Sequence, residues 1–195
     1  MSSFPPFRVL FSRDQILRRT HEIARQITAD LHGEPPCLVV VIEGARTWAR
    51  QLQKLLPGQL PLFEARASSY GSGTVSSGTV KLTVGADVPC KDRHVLLLED
   101  IVDTGRTIAA LRAHFAAAGA KSCRVATLLS KPSRRVVDVP LDFVGFEIPD
   151  EFVLGFGMDL DGRYRELPDV VIYESHVERA FQLAQAAAGA PIEPR

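Results

Sequence analysis

Apolar positions along the chain fall into two kinds of segment: short unbroken runs, and longer stretches in which apolar residues recur every three or four positions. That alternation predicts an α/β protein with a central, mainly parallel sheet flanked by helices. Cys37 to Ile42 and Val95 to Leu98 are continuous runs of the kind found in strands covered on both faces, and Cys123 to Leu129 reads as a third. Ser12 and Gln15 form a capping box ahead of Ile16, Thr20, Ile23, Ile27 and Leu31, so a helix starts there and stops by Gly33 and Pro35-Pro36. Trp48, Ala49, Leu52, Leu55 and Leu56 give a second helix, with Trp48 most simply in the core. Ile108, Leu111, Phe115 and Ala118 give a third helix, ended by Gly119, and Ser175 to Ala188 a fourth. The strand, helix and strand between Val95 and Leu129 form one crossover unit, expected to be right-handed.

Elsewhere the pattern is less regular. Leu60 to Arg66 and Val80 to Val84 read as two strands of a hairpin around Ala67 to Thr79, which holds five serines and three glycines and reads as a mobile lid. Leu141 to Asp150 is a short strand and a turn. Phe152 to Gly157 and Val170 to Tyr173 are further strand candidates, and the tail from Gly189 is expected to fray. At 195 residues the chain suits one domain, 1–195, with the lid at about 67–79 and the tail at about 189–195.

Charge narrows the function classes. Lys+Arg and Asp+Glu are both 23, so no overall field favours nucleic acid and any anion site must be local. Three scattered cysteines without a CxxC pair argue against a disulfide framework or a zinc site. No run reaches membrane length and no leader pattern opens the chain, so the expected location is cytoplasmic, without a membrane partner. Neither a GxGxxG after a strand nor a GxxxxGK[ST] is present.

The densest chemistry lies between Val95 and Thr107. The buried run ends in Glu99-Asp100, and Asp103-Thr104-Gly105-Arg106-Thr107 turns into the helix. At a helix start the backbone N–H groups lack intrahelical partners and the dipole is positive, so Thr104 to Thr107 can wrap a phosphate. The three acids would repel phosphate; they fit sugar hydroxyls, Mg²⁺ or a proton instead.

This stretch closely resembles the phosphoribosyl-pyrophosphate signature of the type I phosphoribosyltransferases. Ser68-Ser69-Tyr70-Gly71 resembles the flexible loop of the members specific for 6-oxopurines. With Glu43-Gly44-Ala45, Lys131 and Phe143 to Asp150, the motifs recur over residues 8–174 in the order of the hypoxanthine-guanine branch of that family. The resemblance implies the type I phosphoribosyltransferase fold with a small hood, and transfer of 5-phosphoribosyl from phosphoribosyl pyrophosphate to N9 of hypoxanthine or guanine. The alternatives are a xanthine-preferring sibling and a non-catalytic regulator on the same fold.

The resemblance also assigns roles. Asp103 is the general acid/base near N7 of the purine. Glu99 and Asp100 hold ribose hydroxyls and help place Mg²⁺, and Asp150 is a second metal carboxylate. Thr104, Gly105, Arg106 and Thr107 hold the 5-phosphate, and Gly44 offers a backbone N–H to pyrophosphate. Lys131 bonds the exocyclic oxygen at C6, Phe143 stacks on the base, and Val144 offers backbone groups to its edge. Arg165 faces pyrophosphate, and Ser69 and Tyr70 close over the site. Glu43 departs from the lysine common at that position, and its side chain is expected to turn towards Arg46 or Arg50, beside a cis Ile42–Glu43 bond. A homodimer or homotetramer is expected, with Trp48 and the last helix as contact candidates.

Overall fold

A computed structural model describes residues 4–32, 34–69 and 80–189. The elements in chain order are β1 (Arg8–Phe11), α1 (Arg13–Asp30), β2 (Cys37–Ile42), α2 (Arg46–Leu55), β3 (Leu62–Ser69), β4 (Val80–Val84), β5 (His94–Val102), α3 (Arg106–Ala117), β6 (Ser122–Ser130), β7 (Phe143–Glu147), β8 (Val153–Leu154), β9 (Val170–Ile172) and α4 (Ser175–Gly189). Six strands form one sheet in the order β4-β3-β2-β5-β6-β7, parallel except for the antiparallel β3–β4 hairpin. Three more, in the order β1-β9-β8, form a separate antiparallel sheet, the hood.

The pleat sorts the core. Leu38, Val40, Leu96 and Leu98 face α1 and α2, packing with Ile16, Ile23 and Trp48, while Val39, Val41, Val95 and Leu97 face α3 and meet Ile108, Leu111 and Phe115. Both faces are therefore covered, as the unbroken apolar runs require. Because every parallel strand ends at the same edge, β2, β5 and β6 deliver their following loops side by side, where ligands of open α/β sheets bind.

Most predicted elements are present, with differences that have local causes. The Ser12–Gln15 capping box forms in full, and α1 closes through the Leu31 N–H and a left-handed His32; Gly33 lies outside the described residues. Ala118 is not on the buried face of α3 but is its exposed C-cap. The hairpin strand starts at Leu62 and runs through Ser69, so Ala67 to Ser69 belong to β3; Tyr70 to Thr79, the rest of the expected lid, lie outside the described residues.

One expectation is corrected and one strand was missed. Trp48 is fully buried in the core, as its first reading has it, its indole N–H donating to the Thr20 hydroxyl at 3.0 Å, which removes it as a subunit contact. β1 was not predicted, because Arg8 to Phe11 is strand only by pairing with β9 far along the chain. No described helix is long and apolar enough to cross a membrane.

Candidate active site

The turn from β5 into α3 is built around Gly105. It is the N-cap of α3 at φ +84°, supplies no side-chain cap, and a Cβ there would lie 2.6 Å from the Val137 carbonyl oxygen. The backbone N–H groups of Val136 and Val137 both donate to the Thr104 carbonyl at 3.0 Å, so the loop after β6 holds the turn from behind. The Arg106 N–H reaches the Thr104 hydroxyl at 3.5 Å. A pocket of about 90 Å³ results, lined by Glu99, Asp103, Thr104, Gly105 and Thr107 among others, of a size and donor set suited to one phosphate group.

Beside it lies a larger cleft of about 670 Å³. From the six-stranded sheet it receives Glu43 and Gly44 after β2, Asp100 and Asp103 from β5 and its turn, and Lys131 and Arg134 after β6. From the segment after β7 and the hood it receives Asp150, Phe152, Val153, Met158, Asp159 and Arg165.

Gly44 is there for room. A Cβ on it would stand 1.8 Å from Asp100 Oδ2, so the Asp100 carboxylate occupies the space a side chain would need. Asp100 also accepts the Ile101 N–H at 2.8 Å. Burial pushes the Asp100 carboxyl above the usual range. Burial and the neighbouring Asp100 charge push Glu99 well above it. Two adjacent buried carboxyls are thus costly to hold charged without a partner.

Cations interleave with the acids around the cleft. Asp103 accepts from Arg134 Nε at 3.2 Å, and Arg134 lies 3.6 Å and Lys131 3.7 Å from Asp150. Lys131, only 8% exposed, is thus no solvated lysine. Arg165 pairs with Asp159 at 2.9 Å and donates to the Gly157 carbonyl at the same distance. At the mouth, Glu43 pairs with Arg66 at 3.0 Å and with Arg46 at 3.6 Å; Arg46 was expected, Arg66 was not, and the Ile42–Glu43 peptide is cis.

Of the predicted site residues, Gly44, Asp100, Asp103, Lys131, Asp150 and Arg165 meet in the cleft, and Glu99, Thr104, Gly105 and Thr107 in the adjoining pocket. Arg106 opens α3. The side chain of Ser69, and Tyr70 altogether, lie outside the described residues.

Two assignments are corrected. Phe143 starts β7, is 6% exposed and packs in the core, so it cannot stack on a base in the cleft. Val144 pairs with Thr127 in the sheet, and its carbonyl accepts Arg19 Nη2 from α1 at 2.8 Å, so its backbone is not offered to a ligand. The cleft instead presents Phe152, half exposed, and Val153. The signal lay in a near repeat: Phe143-Val144-Gly145-Phe146 and Phe152-Val153-Leu154-Gly155-Phe156 are alike in sequence, and only tertiary pairing separates core strand from cleft wall. Asp159 and Arg134 were also missed, being unremarkable loop charges until the fold places them.

Among the described residues, no group of three His, Cys, Asp or Glu is placed to hold a metal unaided. The carboxylates of Asp100, Asp150 and Asp159 are instead spread around the cleft and offer the oxygen ligands that a hard divalent cation takes.

Comparison with known proteins agrees with this geometry. Residues 10–161 match the family model described as a phosphoribosyl transferase domain. A hypoxanthine-guanine phosphoribosyltransferase of Streptococcus thermophilus is 41% identical over 170 residues, covering 87% of this chain and 94% of the relative. A Staphylococcus aureus hypoxanthine phosphoribosyltransferase superposes with a TM-score of 0.82 at 32% identity, over 87% of this chain and 92% of that one. A Trypanosoma cruzi hypoxanthine phosphoribosyl transferase gives 0.82 at 31% identity, over 94% and 98%.

Proposed function

The chain belongs to the phosphoribosyl transferase family, and from that premise we propose that it is a purine-salvage enzyme. It transfers 5-phosphoribosyl from phosphoribosyl pyrophosphate to N9 of hypoxanthine or guanine, giving IMP or GMP and pyrophosphate. The observation that carries this reading is the adjacency of the phosphate-sized pocket at the start of α3 to a cleft holding Asp103 and Lys131 on one wall and Phe152 on the other.

The reaction builds positive character on the ribose and negative charge on the leaving pyrophosphate, and the base must lose a proton. Thr104 to Thr107 fix the 5-phosphate and so aim C1 of the ribose into the cleft. Asp100 and Glu99 receive the ribose hydroxyls, where burial makes hydrogen bonds strong. Gly44 presents its N–H, and Arg165 its guanidinium, to the pyrophosphate. Phe152 stacks on the purine, Val153 lends backbone groups to its edge, and Lys131 donates to the oxygen at C6, a contact that adenine, with an amino group there, would not accept. Asp103 takes the proton as N9 attacks; leaving Arg134 for the purine is part of that step. Proton transfer of this kind gives about 10²–10⁴-fold, so positioning and charge placement supply the larger share of the rate.

Mg²⁺ suits the donor set, with Asp100, Glu99 and Asp159 as the side chains to hold it, and Asp150 further along the cleft. When bound it would neutralise the charge growing on pyrophosphate. Assembly as a homodimer or homotetramer, residence in the cytoplasm, and closure by the segment around Ser69 and Tyr70 belong to the same reading.

The test is direct. The protein is incubated with phosphoribosyl pyrophosphate, Mg²⁺ and one base at a time, and the nucleotide formed is measured. Hypoxanthine and guanine should react and adenine should not; no product with any oxopurine would sink the proposal.

A further inference from the structure

One wall of the cleft rests on the six-stranded sheet, but the hood wall has three short strands behind it, and one buried carboxylate gathers several of its donors. Glu178, in the first turn of α4, is 7% exposed and receives three donors. Its Oε1 accepts the Tyr164 hydroxyl at 2.5 Å and Arg163 Nη1 at 2.6 Å, and its Oε2 accepts the Tyr173 hydroxyl at 2.8 Å. These donors hold its carboxyl below the usual range.

The two phenols lead to different parts of the cleft. Tyr164, 8% exposed and in the left-handed region at φ +74°, immediately precedes Arg165, whose guanidinium pairs with Asp159. Tyr173 meets the Phe152 ring edge-on, with centroids 5.8 Å apart. One oxygen of Glu178 therefore stands behind the Arg165–Asp159 side of the cleft, and the other behind the aromatic side.

We propose that Glu178 is a positioning residue for both substrates, setting Arg165 and Asp159 through Tyr164 and Phe152 through Tyr173. This gives the C-terminal helix a part in the reaction without any contact to substrate. It rests on the phosphoribosyl-transfer reading of the cleft. A half-exposed ring such as Phe152 has many orientations open to it, and a neighbour held by a hydrogen bond selects among them; the same holds for a long arginine reaching across a loop.

The two arms separate in kinetics. Tyr173→Phe, losing one hydroxyl, should raise KM for hypoxanthine about three- to tenfold and leave KM for phosphoribosyl pyrophosphate within about twofold. Tyr164→Phe should do the reverse. Glu178→Ala should raise both, and Glu178→Asp, which keeps two oxygens on a shorter arm, should recover part of the loss. Thermal melts of all four show which remain folded, and the tyrosine variants keep the test open if Glu178→Ala does not. Variants that melt earlier yet keep both KM values within about twofold, or tyrosine variants without the split, would show a purely structural anchor and overturn the proposal. A wild-type protein that forms no nucleotide overturns the catalytic reading and this proposal with it; an active wild type with unsplit variants overturns this one alone.

Discussion

The β5–α3 wall of the cleft comes from nine consecutive residues, Glu99 to Thr107, which run from the end of β5 through a tight turn into the start of α3 and are braced through Thr104 by the loop after β6. The opposite wall, from Phe152 to Arg165, includes left-handed Phe156, Asp161 and Tyr164. It is anchored to residues outside itself, to Phe7 far away in sequence and to Glu178 on α4. A contiguous strand, turn and helix carries its geometry in its own backbone preferences. A looped wall takes its geometry from partners elsewhere in the chain. The first arrangement suits the chemistry that tolerates least displacement, fixing the 5-phosphate and moving a proton; the second suits recognition of a base and a pyrophosphate, which must enter and leave.

If that division holds, the largest losses follow from the β5–α3 wall. Asp103→Asn keeps the shape and removes the proton acceptor, so kcat should fall about 10²–10⁴-fold with the melting temperature and both KM values little changed. Initial rates of nucleotide formation read this. Retention of most of the rate would move the base to another residue and erase the contrast between the walls. Gly44→Ala comes next. Its new Cβ would meet the Asp100 carboxylate, which can move only by leaving its bond to the Ile101 N–H, so kcat/KM should drop on the order of 10²-fold. A variant with near-normal rates would mean that the Asp100 side chain is free to swing and its placement is incidental.

The same contrast explains what could be read from the chain beforehand. The capping box, the covered strands and the signature turn are local, and each agrees with its neighbours at the level of propensity and pattern. Legibility failed where identity depended on pairing. Phe143 and Phe152 each precede a valine, and the first sits in the more regular strand context; β7's place beside β6 and against α1 makes it core, and the hood turns the second into the cleft. β1 failed for the same reason, having no partner until β9 arrives.

A pair of alanine substitutions puts this distinction to work. Phe152→Ala should raise KM for hypoxanthine about tenfold, the loss of one base–aromatic stack, with little change in melting. Phe143→Ala should cost about 3–5 kcal/mol of stability and leave the KM of the folded enzyme alone. Chemical denaturation and steady-state kinetics on both decide it, and the reverse pattern would restore Phe143 as the stacking residue.

The smallest effect is expected at Glu43, an acid where the family resemblance leads one to expect lysine. If that side chain touched pyrophosphate, the acid would be a serious defect and Glu43→Lys a large gain. Instead its carboxylate lies between Arg66 and Arg46, and Arg46 is shared with Glu64 at 2.8 Å, so the acid's charge is already matched at the mouth of the cleft. All four side chains are at least 32% exposed, which keeps each pair worth no more than about 1 kcal/mol. On the proposed reading the loop gives pyrophosphate the N–H of Gly44, which the substitution does not touch. Glu43→Lys should therefore change KM for phosphoribosyl pyrophosphate by less than about tenfold, and the change should shrink as salt is raised, as expected for charges open to solvent. A gain beyond tenfold that persists at high salt would place the side chain against the leaving group and make residue 43 part of the catalytic wall.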